Sequence, residues 1–246
     1  MEDFDVRSVV VAGARRSVVF DTLARPRDME AVTDLVPHLP RTLVYSHGDW
    51  DHVWGTGGLA GHWEEILAHE GCLARFQWEI PRTLEEKRVS DPDEFDGVVL
   101  IPPTRTFQER HILDLGGITL ELSHLPGHTF DSIVGYIPQW NVFLSGDAVE
   151  APLPFLDEAS SLAQWMLGLE GWLSRLENAS GSLPPPQVIP SHGPEGGSEL
   201  LHQNRSYLMA LMEGREPDLP DSLSPFYRET HAANLLLVRR GRGGSS

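Results

Sequence analysis

The sequence predicts an α/β (α+β) protein, and three features carry that expectation. Short apolar, β-branched runs recur between Gly, Pro and charged residues, as strands do. The stretch Ser160 to Leu176 places Leu162, Trp165, Met166, Leu169, Trp172, Leu173 and Leu176 at the helical period. Finally, four clusters of His and Asp each follow a predicted strand directly, so strand ends would present them from a rigid base.

Taken in order, the chain opens with two strands, Arg7 to Val11 and Ser17 to Asp21, joined by a turn at Gly13. A helix follows from Arg27 to Val36 and stops before Pro37. Thr42 to Tyr45 suits a buried strand, and Trp63 to Phe76 reads as a helix. The Pro- and acid-rich stretch from Gln77 to Thr106 is expected to be a loop with one short strand at Val98 to Ile101. Strands then return at His111 to Leu115, Ile118 to His124, Ile133 to Ile137 and Asn141 to Leu144, the first two flanking a Gly-Gly turn. After the Ser160 helix come a loop from Gly181 to Pro186, a strand at Gln187 to Ile189, and helices over Ser198 to Met212 and Pro225 to Leu237. One domain over residues 1–240 is expected, with residues 241–246 a disordered tail.

Composition narrows the function. The 246 residues are 40% hydrophobic and carry a formal charge of −17. So acidic a surface repels phosphate backbones, which argues against nucleic acid and anionic membranes as partners and leaves a small-molecule substrate. A single cysteine, Cys72, excludes an intrachain disulfide and fits a reducing compartment. The first residues, MEDFDVRSVVV, lack the basic segment and long apolar run of a secretory signal, so a cytoplasmic location is expected.

The chemistry lies in His47-x-Asp49-x-Asp51-His52, His128, Asp147 and His192. Imidazoles and carboxylates are donors suited to divalent first-row metals. The strings SHGDWDH, PGHTFDS, SGD and PSHGP stand in the order and separations of the metallo-β-lactamase-fold superfamily, which the chain resembles from about Val9 to Tyr207. That resemblance implies a four-layer αββα sandwich of two mixed sheets. It also implies a dinuclear site: His47, Asp49 and His128 on one ion, Asp51, His52 and His192 on the other, Asp147 bridging. Zinc is the metal it implies first.

One position departs from the family pattern. Asp49 stands where most of the family has His, and its harder anionic oxygen shifts ligand preference toward iron or manganese. The expected activity is hydrolysis of a small ester, thioester or lactone by a metal-activated hydroxide, with Asp51 as the catalytic residue orienting it. Three alternatives stay open: a diiron redox protein resembling the flavodiiron branch, a small-molecule phosphodiesterase, and a non-enzymatic binding protein with a degraded metal site. Asp21 is open between orienting a metal-binding residue and a structural role, and Trp50 and Trp54 are expected to pack under the metal loop. His231 and Asn234 are weaker candidates for the site mouth.

Overall fold

The computed structural model describes residues 5–59, 61–179, 183–220 and 222–243. Two mixed sheets with helices make it an α/β fold. The described residues fall into two compact units: one spans Val6–His124, and the other runs from Leu125 onward and includes Asp5.

The first unit holds a five-stranded sheet in the order β1 (Val9–Ala12), β2 (Ser17–Phe20), β3 (Arg41–Val44), β4 (Glu65–His69) and β5 (Arg105–Phe107). β1 and β2 are antiparallel, whereas β2 to β5 are parallel throughout. Parallel strands need crossovers, and here α1 (Pro26–Thr33) links β2 to β3. β2 and β3 are buried along their whole length, as strands covered on both faces are. Their core joins Val19, Leu43, Ile66, Met29, Trp54 and Cys72 to Phe95. A hairpin of β6 (Arg110–Asp114) and β7 (Thr119–His124) completes this unit. Gly116 and Gly117 turn it, both with positive φ, which a tight hairpin turn requires and side chains resist.

Three expectations need correction here. Trp63 to Phe76 is not one helix: β4 ends at His69, and α3 (Glu70–Arg75) begins at once, with the Gly71 amide donating to His69 Nδ1. Ile66, Leu67 and Ala68 form a continuous buried run, which periodicity alone cannot assign to helix or strand. The expected loop contains α4 (Glu79–Ser90), a helix that buries only Ile80 and Leu84 and so shows almost no apolar stripe. Its Pro81 sits in the first turn, where a missing amide costs little. The expected strand at Val98 to Ile101 is absent, and β5 forms at Arg105 instead.

In the second unit β8 (Ile133–Ile137) and β9 (Val142–Gly146) form an antiparallel pair, and β10 (Gln187–Pro190) lies parallel to β9. The crossover is α5 (Leu162–Glu177), whose Trp165, Leu169, Trp172, Leu173 and Leu176 pack into one core with Val134, Phe143 and Val188. α6 (Glu199–Glu213) and α7 (Pro225–Gly243) follow. The tail expected from residue 241 overlaps the end of α7, and residues 244–246, like 181 and 182 of the expected loop, lie outside the described residues. Among the described residues, no helix is long and apolar enough to cross a membrane.

Candidate metal centre

In the first unit, β3 delivers the chain into Ser46-His47-Gly48-Asp49, and a four-residue helix, α2 (Trp50–Val53), carries Asp51 and His52. His47 and His52 are buried, with ring centroids 4.1 Å apart. Their Nδ1 atoms are engaged: His47 with Ser46 Oγ at 2.9 Å, His52 with Asp21 Oδ2 at 2.9 Å. A carboxylate only accepts, so His52 carries its proton on Nδ1 and offers the Nε2 lone pair. Each Nε2 then faces a carboxylate of the same loop, Asp49 Oδ2 at 3.5 Å from His47 and Asp51 Oδ2 at 3.6 Å from His52.

Asp21 settles its open role. It is fully buried at φ +63°, a left-handed conformation that is costly for a residue with a side chain. The surrounding bonds hold it there: its Oδ1 accepts from the Ser46 amide at 2.7 Å while Oδ2 accepts from His52 Nδ1. It therefore orients a candidate ligand and ties the end of β2 to the loop after β3. Trp54 is a core residue, as expected, and Trp50 packs on it and on Phe95. The Lys87 ammonium, from α4, lies 3.9 Å from the centre of a Trp50 ring, and burial lowers its pKa.

The second unit repeats the pattern. His128 follows the Gly127 backbone, Asp147 follows β9 and His192 follows β10. His128 Nδ1 donates to the Phe155 carbonyl at 3.1 Å and His192 Nδ1 to the Asp5 carbonyl at 2.6 Å, which fixes both rings as Nδ1–H tautomers. Both Nε2 atoms face Asp147 Oδ2, at 3.9 Å and 3.4 Å respectively. Asp131 and Ser132 belong to the turn after His128; Ser132 Oγ bonds Thr129 Oγ1 at 2.7 Å.

Sequence reading missed two residues that bear on these clusters, Arg75 and Glu150, and gave a third, Asn234, a different role. Arg75 places Nη2 2.5 Å from Asp49 Oδ1. Glu150 is fully buried and accepts the Phe155 amide at 2.9 Å; burial first, and then the Asp147 carboxylate, push its pKa up to about 7. Asn234 is not a mouth residue: it is buried on α7, where it accepts the Leu156 amide and donates to the Pro154 carbonyl. It thereby clamps the segment whose Phe155 carbonyl holds His128. His231 bonds Tyr207 and Glu216 instead. The one sequence signal was Glu150 itself, a lone acid in the run Ala148-Val149-Glu150-Ala151.

The donor chemistry fits a metal. Two ligands about 2.0–2.2 Å from one tetrahedral ion stand about 3.3–3.6 Å apart, close to the ring–carboxylate separations within each unit. Imidazoles tied at Nδ1 and opposed to carboxylates at this spacing define a metal-binding protein of α/β fold. The metallo-beta-lactamase superfamily model matches residues 1–203, and the chain belongs to that family. A chain named acyl-coenzyme A thioesterase MBLAC2, from Gallus gallus, is 27% identical over 159 residues, which is 57% of this chain and 56% of that one. The match thus spans little more than half of that relative. Among solved structures, the inverting sec-alkylsulfatase Pisa1 of Pseudomonas sp. aligns with 100% of this chain and 50% of its own, at a TM-score of 0.73 and 17% identity. A metallo-beta-lactamase from Pontibacter korlensis aligns over 84% and 88%, with a TM-score of 0.60 and 20% identity. At those identities the two structures establish the fold and nothing finer.

Proposed function

We propose that this chain is a metal-dependent hydrolase of acyl thioesters, with a dinuclear zinc centre drawn from all seven donors. In this reading, carried over from the family's motif order, His47, Asp49 and His128 would hold one ion, Asp51, His52 and His192 the other, and Asp147 would serve both. The observation that carries it is the fourfold repetition in the histidines: Nδ1 engaged by a fixed partner, Nε2 facing a carboxylate at 3.4–3.9 Å. Family membership supports the metal, and the name of the Gallus gallus relative supports the thioester.

Ions of this kind polarise a carbonyl oxygen and lower the pKa of water to about 7 when bound. The chain's own residues supply orientation and proton handling. Asp21, Ser46, Phe155 and the Asp5 carbonyl hold the four rings against rotation. Asp51 orients the attacking water and accepts its proton at a carboxylate oxygen. Water oxygen joins the carbonyl carbon, the carbon–sulfur bond breaks, and the thiol leaves with a proton. The −17 charge supports a small-molecule substrate over a polynucleotide, and we place the protein in the cytoplasm.

The test is a panel on the purified protein: an acyl-coenzyme A thioester, a carboxylic ester, a lactone, a sec-alkyl sulfate and a chromogenic phosphodiester. The thioester should turn over fastest, and His52→Ala should abolish that turnover. Turnover confined to the phosphodiester or the sulfate would overturn the substrate class.

A further inference from the structure

We infer that Arg75 is a positioning residue that makes Asp49 a one-oxygen ligand and keeps the centre selective for zinc over harder ions such as manganese. This rests on the metal-centre reading above and deepens it. A bare carboxylate at position 49 would bring a full negative charge and two equivalent hard oxygens to the site, both of which favour harder ions.

The structure shows the two oxygens differently committed. Asp49 Oδ1 accepts from Arg75 Nη2 at 2.5 Å, while Oδ2 is the oxygen that faces His47 Nε2 at 3.5 Å. Arg75 is the last residue of α3 and is buried; its Nη2 also donates to Glu79 Oε1 at 2.6 Å, in the first turn of α4. The guanidinium is thus anchored from a second side and does not swing with Asp49. A charge-assisted bond of this kind draws electron density from the carboxylate and opposes its charge. The remaining oxygen becomes a less anionic, single donor, nearer in charge to the neutral imidazole that most of the family carries there.

Gly48 belongs to the same arrangement. A Cβ on it would lie 3.3 Å from both Cδ and Cζ of Arg75 and 3.2 Å from Ile80 Cδ1, tighter than ordinary packing. A side chain between His47 and Asp49 would press on the guanidinium where it now lies against the loop backbone. The string His-Gly-Asp and the distant Arg75 therefore read as one device, in which the glycine makes room for the cation that the aspartate requires.

The test measures zinc and manganese dissociation constants by competition with a chromophoric chelator, without any turnover assay. Wild type is compared with Arg75→Met, Arg75→Lys, and Arg75→Met combined with Asp49→His. Orienting partners of metal ligands are worth about 10–100-fold in metal affinity, so Arg75→Met should weaken zinc by that factor and manganese by less. The zinc-over-manganese preference should fall about tenfold. Arg75→Lys, which keeps the charge but loses the planar fork, should fall part of the way, and it carries the test if Arg75→Met does not fold. The double variant, with a neutral ligand that needs no counter-cation, should restore the preference. An unchanged preference in both single variants of a zinc-binding wild type would overturn the inference alone. A wild type that binds neither ion would overturn the metal-centre reading together with it.

Discussion

Glu150 keeps a carboxyl group wholly buried near Asp147, and the chain stabilises it chiefly by leaving it protonated. Its pKa rises from an ordinary 4.5 to about 7, so the folded, metal-free protein holds a proton there that the unfolded chain releases. The sign follows from linkage: below about 4.5 both states are protonated and nothing is lost, and stability then falls as pH rises toward 7. The loss is up to about 3 kcal/mol by the pH at which the folded state also ionises. Glu150→Gln keeps an acceptor for the Phe155 amide and removes the titration. In chelator, the melting temperature of the variant should therefore gain on wild type as pH rises from 5 to 7.5. A difference that stays constant across that range would refute this account of Glu150. The residues visible in sequence were those whose chemistry is local, since His47 to His52 announce themselves within six positions. Asp21 and Arg75 act on that loop from 31 and 26 residues away, a separation no motif spans.

Between elements, α5 approaches the Gly127-His128-Thr129 segment closely. A Cβ at position 127 would stand 2.3 Å from Trp165 Cγ, and Trp165 is pinned by its indole bond to the Ala148 carbonyl at 2.8 Å. Neither partner can yield without moving α5 or the His128 backbone. Gly127→Ala should lower unfolding stability by about 1–3 kcal/mol in a denaturant titration. Wild-type stability in that variant would show that the approach is not constraining. The glycine was part of the motif read from sequence, but its reason was not, because Trp165 lies on an element 38 positions later. Most strands and α1, α5, α6 and α7 were legible from their patterning. The misread stretch, 63–106, joins a short buried strand to a helix with a two-residue apolar stripe, so neither period is expressed long enough to be recognised. That same stretch carries Arg75, Glu79 and Lys87, so the error also hid the cations that face the metal loop.

For the whole molecule, family membership and the two-sheet fold follow from motifs spread over most of the chain, which is why sequence alone reached them. Substrate choice did not follow, because it depends on side chains that gather from distant segments and carry no spacing of their own. What unites the account is the metal. Four imidazoles with Nδ1 engaged and Nε2 opposed by a carboxylate carry that reading, and both the hydrolase proposal and the role of Arg75 depend on it. The most direct measurement is elemental analysis of the protein purified without added metal or chelator. Two zinc ions per chain is the predicted result. A chain that holds no metal, even after reconstitution with zinc, iron or manganese, would contradict the account at its centre.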